Sequence, residues 1–254
     1  MLESSSPARA TRIAMLIDGD NAQPSLFSEM IAEASRYGLV TIRRIYGDWT
    51  TTNMNSWKDI LNSHAVQPIQ QFRYTIGKNA TDSALIIDAM DILYEGVVGG
   101  FCLVSSDSDY TRLATRVREK GFFVMGIGAR KTPEAFVNAC EVFVYTENLR
   151  VEGDRHQSAK ILKRKGVPEA PAPDPLPLLK RAFDMSVQED GWAFLGTVGT
   201  RLHRLDPGFD ARTYGFTQLS QLIRSLPDEF ELREEKSGSG PSVIFIKPRD
   251  RLSR

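Results

Sequence analysis

FCLVSSDSDYTRLATRVREKGFFVMGIG, Phe101–Gly128, decides the reading of the first half of the chain. FCLVSSD (101–107) and FFVMGIGA (122–129) predict strands, and YTRLATRVREKG (110–121) between them predicts a helix closed by Gly121. Short runs that are apolar at nearly every position suit strands covered on both faces, because neither side meets water. Strand, helix and strand joined by short connections make a parallel crossover unit.

Working outward, the same alternation continues in both directions. IAMLID (13–18) predicts a buried first strand, and Pro24 opens a helix running through SLFSEMIAEASRYG to a stop at Gly38. LVTIRRIYGD (39–48) predicts a strand, MNSWKDILNSH (54–64) a helix and AVQPIQQFR (65–73) a strand. DSALIIDAMDILYEG (82–96) is periodic, with Ala84, Ile87, Met90, Asp91 and Tyr94 on one surface. Beyond the opening stretch, Thr132 predicts an N-cap and Pro133 the first position of a short helix, followed by a last strand, VFVYTENL, ending near Leu149. The fold class expected is α/β: a parallel sheet with helices on both faces. In such sheets ligands bind beyond the carboxyl ends of the strands, where the strand order switches.

From about residue 150 the composition shifts. Residues 1–149 hold 14 Lys and Arg against 17 Asp and Glu, whereas residues 150–173 hold 6 against 3. RHQSAKILKRKGVPEAPAPDPLP is basic and then proline-rich, as an extended linker would be. The expected organisation is a first domain over 12–150, a linker over 151–175 and a second domain over 176–248. The second predicts helices over 176–188, 194–204 and 216–225, then a hairpin pairing FELREE with SVIFIKP across Ser-Gly-Ser-Gly. Three helices and a β-hairpin make a small α+β winged helix.

Overall composition is that of a soluble globular protein: 41% hydrophobic, 25% charged, 32 basic residues balancing 32 acidic ones. Balanced charge by itself names no partner. Residues 1–11 read as a disordered Ser-rich lead without an apolar signal region, and no stretch is apolar enough to span a membrane, so a cytoplasmic protein is expected. Cys102 and Cys140 lie in apolar runs and are expected as buried, reduced thiols. The sequence leaves the oligomeric state open.

Carboxylates collect where the sheet rule places a site. Asp18 and Asp20 follow the first strand with Asn21 beside them, Asp82 begins the long helix, and Asp107 and Asp109 follow the fourth strand. Carboxylates held close repel unless a cation neutralises them, and hard oxygen ligands suit Mg²⁺ or Mn²⁺. Such an ion activates water and stabilises a phosphodiester in transit. The three histidines, His64, His156 and His203, lie away from these clusters, which disfavours imidazole acid–base chemistry. Taken singly, each aspartate fits a turn former or helix cap better than a ligand; three strand ends carrying one together favour the metal site. At the same rim Ser105 and Ser106 suit either a phosphate contact or a sharp turn, and Lys78 suits the RNA backbone or plain solvent. Tyr46, Trp49 and Trp57 are aromatic candidates for base stacking; Trp49 is the better one, and Trp57 reads as core.

MLIDGDN, GKNATDSALIIDAMDIL, FCLVSSDSDYTRLATRVREKGFFVMGIG and FVNACEVFVYTENL together resemble the NYN family, a branch of the PIN-like nucleases, over residues 12–150. That resemblance implies a metal held by Asp18, Asp82, Asp107 and Asp109, with Asn21 helping to hold site and substrate. Asp88, six residues past Asp82 and on another helical face, is expected to be structural, and Asp20 is second rank.

DGWAFLGTVGTRLHRLDPGFDARTYGFTQLSQLIRSL resembles the OST-HTH, or LOTUS, domain, which implies RNA binding or, in some relatives, protein docking. Phe216, Leu219, Leu222 and Ile223 predict its buried stripe. Arg201, Arg204, Arg212 and Arg224 are phosphate-contact candidates, and Trp192 and Tyr214 read as core or turn supports. The leading expectation is a metal-dependent endoribonuclease acting on single-stranded or structured RNA, with basic residues 160–165 adding phosphate contacts. Two rival readings stay open: a non-catalytic RNA-binding adaptor, and a nuclease acting on DNA.

Overall fold

The computed structural model of the chain describes residues 11–72, 80–149, 173–235 and 242–249. Lys78, His156, the 151–172 part of the expected linker and the Ser-Gly-Ser-Gly turn lie outside them. The chain divides into two compact units, Met1–Arg155 and His156–Arg254.

In the first unit, β1 (Arg12–Asp18), β2 (Leu39–Gly47), β3 (Gln67–Gln70), β4 (Gly100–Val104), β5 (Phe123–Gly128) and β6 (Val142–Tyr145) form one sheet in the order β3-β2-β1-β4-β5-β6. All five pairings are parallel. Residues of β1 explain why its run is apolar throughout. Ile13, Met15 and Ile17 point into one buried cluster with α1 (Phe27–Ala34), while Ala14 and Leu16 point into a second with α3 (Ala80–Glu95), α4 (Thr111–Glu119) and α5 (Glu134–Ala139). Alternate residues face opposite sides of a strand, so a central strand between two helical layers has no polar face. Trp57, 1% exposed, is core beneath α2 (Lys58–Ser63), as its helical position predicts.

Several elements differ from expectation for local reasons. The helix after Pro24 ends at Ala34, well before Gly38; the Ser35 hydroxyl donates to the Ile31 carbonyl, and Arg36 and Tyr37 close tighter turns. Pro133 itself caps α5, while the Thr132 hydroxyl donates backward to the Ala129 carbonyl at 2.6 Å instead of capping forward. Thr146–Leu149 forms a helical turn, α6, rather than the end of the last strand. Helix α3 buries a different face from the one anticipated. Leu85, Ala89, Ile92 and Leu93 are buried, whereas Ile87 is 62% and Tyr94 94% exposed.

The second unit contains α7 (Leu176–Asp184), β7 (Ala193–Phe194), α8 (Leu195–Leu205), α9 (Leu219–Arg224), β8 (Phe230–Glu235) and β9 (Val243–Pro248). Strands β8 and β9 pair antiparallel as expected, and the unanticipated β7 adds on the far side of β9. Helix α9 begins at Leu219 because Gly215, in the left-handed conformation at φ +87°, turns the chain just before it. Leu222 and Ile223 are buried; Phe216 and Leu219 pack at the edge of the core. Tyr214 supports that core against Phe209, with ring centroids 5.8 Å apart.

The revised face of α3 sets a clear contrast. Leu85→Ala should cost about 2–5 kcal/mol by leaving a cavity, while Ile87→Ser should stay within about 0.5 kcal/mol. Urea denaturation of the two variants measures both; a larger loss from Ile87→Ser would restore the original face.

Candidate functional site

Strands β1 and β4 are neighbours, yet β2 and β3 lie to one side of them and β5 and β6 to the other. Connections leaving such a pair diverge and open a crevice at the carboxyl edge. Asp18 ends β1 at that edge and is only 1% exposed. Its Oδ2 accepts hydrogen bonds from Asn21 Nδ2 at 2.7 Å and Ser105 Oγ at 2.9 Å, and its Oδ1 accepts the Asp20 N–H at 3.2 Å. The turn is tight because the Asn21 and Ala22 amides both close on the Asp18 carbonyl. Gly19 permits this: a Cβ there would stand 2.8 Å from the Tyr46 carbonyl oxygen. Burial raises the Asp18 carboxyl above its ordinary pKa; the Asn21 and Ser105 bonds oppose that rise, and the charges of Asp82 and Asp20 add to it.

Ser105, directly after β4, also accepts the Asp107 N–H at 3.1 Å, so one hydroxyl joins the two loops. Asp107 Oδ1 accepts the Asp109 N–H at 3.0 Å and thereby caps the helical turn Ser108–Tyr110. Ser106 Oγ accepts the Ala129 N–H at 2.8 Å, which fixes the loop to the end of β5. Both serine hydroxyls thus help to hold the loop.

Asp82 stands in the first turn of α3, and the buried Tyr110 donates to its Oδ1 at 2.6 Å. Burial is the largest influence raising the Asp82 pKa; the Tyr110 bond lowers it, and the charges of Asp107, Asp109 and Asp20 raise it again. Carboxylate oxygens of Asp82, Asp107 and Asp109 lie within 4.8 Å of one another. Asp18 stands outside this trio, with its oxygens already engaged, although its charge and that of Asp82 are mutually felt. Asp20 joins the same rim, accepting from Thr81 Oγ1 at 3.3 Å. Tyr110 and Thr81 were not anticipated. Their only sequence signal is adjacency to the acidic motifs, a tyrosine after Asp109 and a threonine before Asp82.

The aromatic candidates fall elsewhere. Tyr46 is fully buried, donating its hydroxyl to Asp88 Oδ2, and Arg44 binds the other oxygen of Asp88. Asp88 therefore anchors α3 to β2, and Tyr46 is no stacking surface. Trp49 is partly buried, with its indole N–H donated to the Ile69 carbonyl at 3.1 Å, so its ring is pinned to β3.

In the second unit Arg201 and Arg204 lie along α8. Arg212 is folded back on Asp210 at 2.6 Å, and Arg224 is paired with Glu234. Each of these two already has a carboxylate partner, which Arg201 and Arg204 lack among the described residues. Among the described residues no helix is long and apolar enough to cross a membrane.

Comparison with known proteins follows the same division. The NYN domain model matches residues 12–149, and the OST-HTH/LOTUS domain model matches residues 167–241. A protein of unknown function from Vibrio parahaemolyticus is similar at 18% identity and a TM-score of 0.47, over 55% of this chain and 95% of its own. An uncharacterised protein from Nitrosomonas europaea is similar at 30% identity and a TM-score of 0.31, over 35% of this chain and 85% of its own. No curated protein matches. The six-stranded parallel sheet, its flanking helices and the matched motifs agree, and the chain belongs to the NYN family of nuclease-like domains, here followed by an OST-HTH/LOTUS domain of the RNA-binding kind.

Proposed function

We propose that the protein is a metal-dependent endoribonuclease whose cleavage site is the acidic crevice at the β1–β4 edge and whose second domain holds the RNA. The observation that carries this reading is the convergence of Asp82, Asp107 and Asp109, with oxygens within 4.8 Å of one another. Three carboxylates from two separate segments, helix α3 and the loop after β4, are a donor set that fits Mg²⁺ or Mn²⁺, which favour oxygen and keep several waters. When bound there, such an ion supplies an activated water and offsets charge on the scissile phosphate.

The chain's own residues divide the remaining work. Asp82, Asp107 and Asp109 would hold the ion. Asp18 sets the floor of the site, fixing Asn21 and Ser105 by hydrogen bonds, and Ser105 in turn fixes the Asp107 backbone. Tyr110 orients Asp82 by occupying one oxygen and leaving the other for a ligand. Asn21, exposed in the turn after β1 and bonded to Asp18, would contact substrate. RNA rather than DNA is favoured by the second domain's family.

Cleavage of labelled single-stranded RNA and DNA with Mn²⁺, Mg²⁺ or EDTA tests the proposal, with Asp18→Asn/Asp107→Asn as the control. Metal-dependent RNA cleavage should fall at least a hundredfold in the control while RNA binding persists. Equal binding by both proteins, with cutting by neither under any metal, sinks the nuclease and favours the adaptor.

The raised carboxyl pKa values give a second test. Because Asp18 and Asp82 titrate above 3.8 in the folded chain, their charged forms destabilise the metal-free fold at neutral pH, and acidification toward 3.8 relieves this. Asp82→Asn keeps an acceptor for Tyr110 and removes the charge. Without metal at pH 7 its Tm should rise above that of the wild type. The gain should vanish near the pH at which the wild-type carboxyls are protonated. Mn²⁺ should then raise the wild-type Tm more than the variant's; an equal metal response in scanning calorimetry removes Asp82 from the ligand set.

A further inference from the structure

We propose that the second domain binds single-stranded RNA on the outward face of its three-stranded sheet and the adjoining side of α8, and not through α9, its third helix. This rests on the RNA-binding reading above and adds the surface and the form of the RNA.

The register sorts the sheet into two faces. Ala193, Ile246 and Leu232 are cross-strand partners and pack into or against the core. One step along, Phe194, Phe245 and Arg233 are partners on the opposite, outward face. There the Phe194 and Phe245 ring centroids lie 6.0 Å apart, and the Arg233 guanidinium sits 4.6 Å from the Trp192 ring and 5.2 Å from that of Phe245. Asp190 and Glu235 pair with Arg233, so it serves this row as a flat group more than as a free charge. Trp192, expected as a core or turn support, belongs to this row. A continuous strip of flat groups on the solvent side of a small sheet suits unstacked bases, whose faces stack on aromatic and guanidinium planes.

Beside the strip lies an open depression of about 420 Å³ bounded by Phe194, Gly196, Thr197, Thr200, Arg201 and Arg204. Phe194, 38% exposed, reaches over the start of α8 because Gly196 has no side chain; a Cβ there would stand 2.7 Å from the Phe194 ring. Arg201 and Arg204 form no ion pair among the described residues, and Arg201 Nε is buried without a hydrogen-bond partner. Lys180, Arg212, Arg224 and Arg233 are each paired with a carboxylate, whereas Arg201 and Arg204, where the aromatic strip ends, have no such partner among the described residues. Aromatic planes next to unpaired guanidinium groups and threonine hydroxyls match a base–phosphate backbone. Helix α9 offers little by comparison. It spans six residues, and its Arg224 is tied to Glu234 on β8.

Fluorescence anisotropy of the full chain in EDTA, with short labelled single-stranded RNA and the matching duplex, tests this without cleavage. Arg201→Gln/Arg204→Gln should weaken single-strand binding about tenfold or more and reduce the salt slope by roughly 1.4, the share of two phosphates. Phe194→Ala should weaken it about tenfold with the slope unchanged, and Phe194→Leu, which keeps a large apolar side chain but no aromatic plane, should do the same at nearly unchanged Tm. Arg224→Gln should bind as wild type, and the duplex should bind more weakly than the single strand. Wild-type binding with unaffected face variants, or loss confined to Arg224→Gln, overturns the surface alone and leaves RNA binding standing. Duplex bound as tightly as single strand overturns the single-strand assignment. No binding of either RNA by the wild type brings down both this surface and the RNA-binding reading.

Discussion

The Ser105 hydroxyl, given to Asp18 and shared with the amide of Asp107, ties together the ends of two neighbouring strands. A carboxylate that is 1% exposed would be costly without such partners, since burial penalises its charged form. Asn21 and Ser105 supply the donors that make the position tolerable. The same serine then sets the backbone from which Asp107 and Asp109 project, so the loop geometry descends from one side chain and the strand pairing beneath it. Sheet register reaches the site directly: Asp18 lies opposite Tyr46 on β2 and its strand end lies beside that of β4.

Helix α3 brings the remaining carboxylate, and two separate attachments govern where it arrives. At its start Tyr110 holds Asp82; further along Asp88 is gripped by Tyr46 and Arg44. Burial and the neighbouring carboxylates push the phenols of Tyr46 and Tyr110 far above their ordinary pKa, which keeps both as neutral donors. Each attachment therefore runs from a buried tyrosine in or beside the sheet to an aspartate on one helix, and the rotation of that helix about its axis is fixed at both points. Gathering like charges at one rim costs stability, and the rest of the unit, with its two apolar layers, offsets that cost.

Much of this is legible in the sequence. Continuous apolar runs such as IAMLID and FCLV identify central strands because two covered faces leave no room for alternation, and the acidic turns after them mark the crevice. The buried face of α3 was not legible. Leu85, Ile86, Ile87, Met90, Ile92, Leu93 and Tyr94 surround much of the helix, so a 3.6-residue period fits two adjacent stripes equally; the choice was made by the sheet and α4. Capping at Thr132 failed because its hydroxyl had a nearer acceptor behind it. Arg224 looked like Arg201 and Arg204 in sequence, and only folding brought Glu234 against it, whereas the partner of Arg212, Asp210, stands two residues before it. Likewise β7, two residues long, carries too short a pattern to read, although it creates the cross-strand row on which Phe194 stands.

The two thiols carry a consequence of their own. Cys102 lies in the core layer on the α1 side of the sheet and Cys140 in the layer on the α3 side, and neither is in a disulfide. Burial drives the Cys102 thiol far above its ordinary pKa and pushes that of Cys140 up to about 12. A thiol that is both enclosed and protonated does not attack an alkylating reagent. Modification then follows opening of the fold, and because the chain has only these two cysteines, both in the first unit, their alkylation rates form a native clock for that unit alone. Separate rates for the two sulfurs distinguish loosening of one helical layer from collapse of the whole sheet.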